Sequence, residues 1–158
     1  MPRRGSAKIK QITPDPIYGD AMVSKLINRL MRDGKRSIAS RQVYGAFEIL
    51  SQEKLDPMKV FADAFENIKP TMEVRARRVG GAAYQVPMQV RGRRKESLAI
   101  RWLVSTARLR SNSEYHTFAE KLAAELKDAA NGEGGAVKKR QEIERIADAN
   151  RAFAHFKW

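Results

Sequence analysis

Apolar residues recur at the spacing of an α-helix in three segments before residue 70. Asp20 offers the first segment an N-cap and Gly34 a stop, while Ser37 offers an N-cap to the second. The dipeptide Asp56-Pro57 has the order of an N-cap and a first helical residue. The apolar positions are Met22, Val23, Leu26, Ile27, Leu30, Ala39, Val43, Phe47, Leu50, Val60, Phe61, Ala64, Phe65 and Ile68. Three helices with such faces predict a helical core.

The period changes to two after Pro70, where side chains alternate as they do in a β-strand. Two such runs flank Gly80 and Gly81, which permit the positive φ angles of a tight reversal. The pattern predicts a two-stranded β-hairpin over residues 72–91 whose base rests on the helices and whose tip projects. Pro87 cannot donate a ladder hydrogen bond and argues against a broad sheet.

Helical periodicity returns after the hairpin and predicts three more helices. They cover about residues 94–110, about 114–130 after Ser113, and from near Val137 into the last ten residues. The first 17 residues are basic and aperiodic, which is typical of an extended arm. The predicted fold is mainly α. It is a six-helix single domain over residues 1–158, with an extended two-stranded hairpin between helices three and four, a basic arm (1–17) and a tail (149–158).

Composition limits the chemistry that the chain can support. Of its 158 residues, 42% are hydrophobic, which suffices for one compact core. There is no cysteine, so disulfides and thiolate metal sites are excluded. No apolar run has the length of a membrane-spanning helix or the form of a secretory signal. We therefore expect a soluble protein that is not exported.

Positive charge is concentrated in the first two thirds of the chain. The 31 Lys and Arg residues exceed the 18 Asp and Glu residues by 13. Residues 1–110 carry 23 basic and 10 acidic side chains, whereas residues 111–158 carry 8 of each. Residues 72–110 alone carry 10 basic and 2 acidic side chains. This uneven distribution favours a binding surface for a polyanion over charge that merely keeps the protein in solution.

The hairpin region carries a long run of cations. Guanidinium groups stay charged at physiological pH, pair with phosphate through two hydrogen bonds and stack on bases. The cations are Arg75, Arg77, Arg78, Arg91, Arg93, Arg94 and Lys95. Charge that protects a sheet edge from aggregation would explain one or two of them but not the run. We therefore predict contact with nucleic acid.

Two basic clusters are predicted at the starts of helices, where the helix dipole disfavours cations. The clusters are Arg93, Arg94 and Lys95, and Lys138, Lys139 and Arg140. A bound anion would relieve the repulsion and accept the unpaired backbone N–H groups, which indicates phosphate sites. The alternative is that Glu96 and Glu142 neutralise the clusters within the first turn.

The fourth predicted helix carries a basic stripe. Its members are Arg94, Arg101 and Arg108, seven residues apart, with Ser97 and Ser105 between them. Trp102 borders the stripe, and we assign it to the core because tryptophan is more often a core anchor than a base-stacking residue. Lys35 and Arg36, between the first two helices, fit RNA contact and a solvated turn equally well.

No arrangement of residues predicts catalysis. The segment RRVGGA lacks the glycine spacing of a dinucleotide fingerprint, and no phosphate loop with Lys-Ser or Lys-Thr occurs. His116 and His155 belong to no motif, and Glu142 and Glu144 project differently from a helix. We expect no enzyme, no cofactor and no metal site.

Six motifs in order carry a resemblance that covers the whole chain. They are MPRR at 1–4, DGKR at 33–36, RRVGGAAYQVP at 77–87, LAIRWLV at 98–104, GGAVKKR at 134–140 and ANRAFAHFKW at 149–158. Together they resemble bacterial-type small-subunit ribosomal protein seven, of the universal ribosomal protein seven family. Gln42 departs from the family's pattern, which has an apolar residue there, and this puts the packing of the second helix in question.

The resemblance implies a non-catalytic component of the small ribosomal subunit, in the cytoplasm or an organelle equivalent, with no membrane partner. It implies direct binding to the 3′ major domain of the ribosomal RNA, nucleation of head assembly, and neighbouring ribosomal proteins as partners. The hairpin would lie near the mRNA exit path and the exit-site tRNA, and in some bacteria such proteins repress their own message. The RNA contacts implied are Arg3, Arg4, Lys8, Lys10, Lys35, Arg36, Arg75, Arg77, Arg78, Arg91, Arg93, Arg94, Lys95, Arg101, Arg108, Lys138, Lys139 and Arg140.

Two other functions fit parts of the pattern. Three helices followed by a hairpin also describe a winged-helix DNA-binding regulator. Its third helix would enter the major groove, yet here that helix gives five residues to the core and would turn Asp63 and Glu66 toward DNA. A nuclease or RNA-modifying enzyme would need a metal or cofactor site, which the sequence does not offer.

Overall fold

The helices and the hairpin follow one another in the predicted order. The computed structural model describes residues 11–156 of the chain. The elements are α1 (Ala21–Leu30), α2 (Arg36–Gln52), α3 (Pro57–Ile68), β1 (Met72–Val79), β2 (Ala82–Gln89), α4 (Arg93–Leu109), α5 (Phe118–Ala130), α6 (Gly134–Ala149) and a C-terminal 3₁₀ helix (Arg151–Phe156). The mainly helical single domain with a hairpin between α3 and α4 confirms the predicted fold class. The 3₁₀ helix is a seventh helical segment beyond the six predicted.

The core forms around α5, which packs against α2, α3, α4 and α6. Leu122 and Leu126 on α5 are fully buried, as is Phe47 on α2. The ring of Phe47 lies 5.0 Å from that of Tyr18 and 5.9 Å from that of Phe61. All apolar positions predicted for the first three helices are buried or half-buried. Trp102 is 8% exposed, which confirms its assignment to the core.

The turn between α1 and α2 differs from the predicted one. α1 ends at Leu30, before the predicted stop at Gly34, and the backbone N–H of Met31 closes its last turn on Ile27. α2 begins at Arg36, with no side-chain cap, so the cap predicted at Ser37 is wrong. The first three residues of the DGKR motif therefore lie in the turn, and its arginine is the first residue of α2.

The start of α5 is predicted near Ser113 but lies at Phe118. Thr117 accepts a hydrogen bond from the backbone N–H of Glu120, whose carboxylate accepts from the backbone N–H of Thr117 in return. Gln42 of α2 adds a third capping bond, because its Oε1 accepts from the backbone N–H of Ala119 at 3.0 Å. A polar residue at position 42 is thus explained by a helix start that needs an acceptor.

The last predicted helix divides in two. α6 begins at Gly134, because a close approach to α4 favours glycine here: a Cβ on Gly135 would lie 3.2 Å from the Cβ of Thr106. It ends at Ala149, where the Asn150 side chain donates to the carbonyl of Ile146 at 2.8 Å. The remainder of the described tail forms the 3₁₀ helix.

The hairpin is anchored to the helices along much of its length. At its base, the backbone N–H and hydroxyl of Thr71 donate to Glu144 Oε1 of α6 at 2.9 and 2.6 Å. Further along, the ring of Tyr84 lies 5.2 and 5.3 Å from those of Phe153 and Phe156 in the 3₁₀ helix. Residues 80–83, at the tip, are exposed.

Asp15 ties the segment before α1 to α2. Its carboxylate accepts from the backbone N–H groups of Ile17 and Tyr18 at 3.1 and 3.2 Å and from the hydroxyl of Tyr44 at 2.8 Å. Burial, and after it the hydrogen bond to Asp15, raises the pKa of Tyr44 to about 12.

We expect this tyrosine to make stability fall at high pH. Because the pKa of Tyr44 is higher in the folded state than its ordinary value of 10.0, its stabilising effect is fully present below pH 10 and is lost as pH rises toward 12. The free energy of unfolding, measured by urea denaturation across this window, should fall more steeply for the parent protein than for Tyr44→Phe. Equal slopes would contradict the expectation.

Candidate nucleic-acid interface

Three clefts lie along α4, two at its start and one near its end, and three cationic side chains line each of them. The hairpin cleft is lined by Arg75, Arg91 and Arg94, the helix cleft by Lys25, Arg29 and Arg93, and the turn cleft by Arg32, Lys35 and Arg108. One carboxylate lines each cleft, in the same order Glu73, Glu96 and Asp33. We call these clefts together the basic path. Because α4 has 17 residues, the path is about 25 Å long.

The hairpin cleft, of about 360 Å³, is organised around Glu73. Arg75 Nε donates to Glu73 Oε1 and Arg94 Nε to Glu73 Oε2, both at 2.6 Å. The side chains of the two arginines are 45% and 48% exposed, whereas that of Glu73 is 8% exposed. Arg75 is therefore exposed, as predicted, but an ion pair holds it in place.

Gly92 forms the turn between Arg91 and Arg94, two of the arginines that line this cleft. Its φ of +48° and ψ of −128° lie in a region that is open almost only to glycine. The chain turns there from β2 into α4, with the backbone N–H of Arg94 donating to the carbonyl of Arg91 at 3.2 Å. α4 begins at Arg93 without a side-chain cap, so the first basic cluster does occupy the first turn of a helix.

The helix cleft, of about 630 Å³, lies between α1 and α4. Lys25 Nζ of α1 lies 2.5 Å from Glu96 Oε2 of α4. Glu96 thus pairs with the neighbouring helix rather than with the basic cluster in its own first turn. Arg29 and Arg93 are exposed at the rim of this cleft.

The turn cleft, of about 470 Å³, lies where the end of α4 meets the turn between α1 and α2. Arg108 donates to the carbonyl of Leu30, at the end of α1, at 3.0 Å. Burial lowers the pKa of Arg108, and the charges of Arg32 and Arg29 lower it further. Like charges are thus held close together, and a bound anion would relieve their repulsion.

The second basic cluster does not lie at a helix start. Because α6 begins at Gly134, Lys138, Lys139 and Arg140 occupy its second turn, where the dipole of the helix start has little effect. The backbone N–H of Ala136, in the first turn, already donates to the buried carboxylate of Glu125 at 2.8 Å. The dipole argument for a phosphate site here is therefore wrong, and contact of these cations with RNA stays a prediction.

The other predicted contacts that the structure describes do not line the three clefts. Arg101 is exposed on α4, on the stripe that it shares with Arg94 and Arg108. The remaining predicted RNA contacts within residues 11–156 are Arg36 at the start of α2, Arg77 and Arg78 on β1, and Lys95 in the first turn of α4. Arg3, Arg4, Lys8 and Lys10 lie outside the described residues.

Sequence reasoning missed the contribution of α1 and the residues just after it to the path. Lys25 and Arg29 of α1 line the helix cleft, and Arg32, in the turn after α1, lines the turn cleft. The signal is present in the sequence, since these cations recur at i, i+4 and i+7, the spacing of one helix face. It is easily overlooked because the apolar positions of α1 dominate its pattern.

The described residues include no candidate metal site. Among residues 11–156, no group of His, Asp and Glu side chains could hold a metal ion. His116 is exposed at the cap of α5, and His155 lies beside the ring of Phe156 at 4.0 Å. No helix in this range has the length and apolar character needed to cross a membrane.

The third helix does not support the winged-helix alternative. Phe61, Phe65 and Ile68 of α3 are buried in the core, and Asp63 and Glu66 are exposed. The face of α3 that is open to a partner therefore carries Lys59 beside two carboxylates and lacks the positive charge that a DNA-reading helix needs.

Comparisons with known proteins agree with the geometry. The family model described as "Ribosomal protein S7p/S5e" matches residues 2–151. The chain is 55% identical to small ribosomal subunit protein uS7 of Caldicellulosiruptor bescii, 54% to that of Thermus thermophilus and 51% to that of Levilactobacillus brevis. Each alignment covers 100% of this chain and 100% of the relative. These matches confirm the resemblance found in the sequence, and the chain belongs to the ribosomal protein S7 family of structural, non-enzymatic, RNA-binding proteins of the small ribosomal subunit.

Proposed function

We propose that the chain binds the 3′ major domain of small-subunit ribosomal RNA directly, through the basic path, and so nucleates assembly of the subunit head. The observation that carries this proposal is the alignment of three cationic clefts along one helix. Nine cations and three carboxylates line them. A path about 25 Å long can meet several successive phosphates of a strand.

The division of the path into three clefts favours a folded RNA over a simple duplex as its partner. Residues of α1, the turn after it, the hairpin and α4 line the three clefts, so the cations form separate groups rather than one continuous row. The deep, narrow major groove of A-form RNA is closed to side chains, and proteins recognise such helices mainly by shape. A junction of RNA helices offers phosphates in that arrangement, and binding would hold its helices at fixed angles.

The tip of the hairpin is proposed to lie near the mRNA exit path and the exit-site tRNA. It extends beyond the contacts that fix the hairpin to α4, α6 and the 3₁₀ helix, and Arg78 near the tip is exposed.

The α6 cluster and the arm cations are proposed as further RNA contacts, and neighbouring ribosomal proteins as further partners. A message that folds like the ribosomal site would bind the same surface, so we extend the proposal to self-repression.

The proposal is tested by the affinity for a transcript of the 3′ major domain across a range of salt. We expect this transcript to bind at least about a hundredfold more tightly than scrambled RNA or duplex DNA. The preference should persist as salt rises, because shape recognition adds to counterion release. Equal affinities that fall together with salt would contradict the proposal, since net charge alone would then explain binding.

A further inference from the structure

Glu73 is an acidic residue in the most basic part of the molecule. A carboxylate beside three arginines weakens the attraction of the hairpin cleft for phosphate. The Glu73 side chain is also buried, and a buried carboxylate is costly unless its oxygens are paired. Its position therefore calls for a role that outweighs both costs.

The two oxygens of Glu73 hold arginines from two different elements. Oε1 lies 2.6 Å from Nε and Nη2 of Arg75, on the same strand. Oε2 lies 2.6 Å from Nε of Arg94, in the first turn of α4. In the part of the chain that the structure describes, the Arg94 side chain makes no other hydrogen bond. Its terminal nitrogens remain available to an RNA phosphate.

We infer that Glu73 is a positioning residue of the RNA interface, which fixes Arg75 and Arg94 at a set separation and fixes the hairpin base relative to α4. Arginine side chains lose much rotamer freedom when they bind, and a partner that orders them beforehand removes part of that loss from the binding step. The inference rests on the proposed function, because it concerns how the same surface binds RNA.

The inference predicts that removal of this negative charge weakens specific RNA binding. Glu73→Gln should bind the 3′ major domain transcript about tenfold less tightly, because the coupling between the carboxylate and its arginines is lost. If Glu73 only repelled phosphate, the same change would tighten binding. Affinity for scrambled RNA should stay level or rise slightly, since net charge increases by one.

Glu114→Gln is the matched control. Glu114 is exposed in the loop before α5 and makes no ion pair with another described residue. Its replacement therefore raises net charge by one, as Glu73→Gln does, without breaking an ion pair. We expect equal or slightly tighter binding to both RNAs. If Glu73→Gln behaves as Glu114→Gln does, the inference is wrong although the proposed function stands. If the parent protein shows no preference for the transcript, the proposed function itself fails.

Two further measurements separate positioning from folding. In a double-mutant cycle, Arg94→Ala should weaken transcript binding less in the Glu73→Gln background than in the parent, whereas additive losses would overturn the inference. In the unmutated protein, the Nε–H resonances of Arg75 and Arg94 should exchange slowly both free and bound to RNA. Fast exchange in the complex would show that RNA releases the arginines from Glu73, which is incompatible with a positioning role.

Discussion

Replacement of Glu125 by alanine is expected to lower the free energy of unfolding by about 3–5 kcal/mol, the cost of breaking a buried ion pair. Glu125 is 1% exposed. Its Oε2 accepts from Arg110 Nε at 2.8 Å, and its Oε1 accepts from the backbone N–H of Ala136 at 2.8 Å. Burial lowers the pKa of Arg110, but its hydrogen bonds with Asp128 and Glu125 outweigh this effect and raise it. The variant would leave this cation half-paired and the start of α6 without its acceptor.

Asp128→Ala is the control for this expectation. Asp128 also pairs with Arg110, but its side chain is 42% exposed, so water can replace the missing partner. We expect a loss of about 1 kcal/mol, typical of an exposed ion pair. Urea denaturation at neutral pH measures both variants. Similar losses for the two would show that Glu125 is not the centre of the network.

Packing at the start of α6 explains why the helix dipole was a wrong guide to the GGAVKKR motif. GGAVKKR combines a helix start with a basic cluster, and the dipole argument requires the cluster to lie at that start. The two glycines are needed because α6 begins against α4 and α5, where a Cβ on Gly134 would lie 3.1 Å from the Cβ of Asp128. The helix therefore starts before its cations. Packing between helices distant in sequence decides this boundary, and periodicity does not record such packing.

Local signals predict the fold wherever they have no competitor. Asp56 caps α3 through its side chain, and Gly80 and Gly81 turn the hairpin with positive φ, as the sequence indicates. The start of α5 is predictable too, since Thr117 and Glu120 have the spacing of a capping box. Ser113 competes with them because it follows the previous helix more closely. The error at this boundary comes from a choice among signals that are all present.

The candidate site is only partly predictable, because a sequence shows where the cations are but not which carboxylates they pair with in the fold. The run from Arg75 to Lys95 predicts a site at the hairpin base and the start of α4, where the hairpin cleft lies. That Glu73 and Arg94, 21 residues apart, share a hydrogen bond depends on how the hairpin folds back onto the helix. Likewise, the part that α1 plays becomes visible only once its basic face lies beside α4.

Replacement of Arg29 and Arg101 by glutamine is expected to weaken binding to the 3′ major domain transcript about a hundredfold, since each charge-assisted hydrogen bond contributes about 1.5 kcal/mol or more. Arg29 lines the helix cleft, and Arg101 lies on the stripe of α4 that it shares with Arg94 and Arg108. Both side chains are exposed, so the melting temperature should change little. The slope of log affinity against log salt should become shallower by about 0.7–0.9 for each phosphate that the variant no longer neutralises. This shallower salt dependence should appear with any RNA that binds along the path.

Lys54→Gln with Lys59→Gln removes the same charge from outside the basic path. Both lysines are exposed, beyond the end of α2 and on α3, and neither lines the basic path. If the path binds RNA, this pair should weaken transcript binding only about twofold, through long-range attraction that salt screens. A loss equal to that of Arg29 and Arg101 would mean that net charge, rather than its arrangement along α4, governs recognition. The path would then be one basic surface among several.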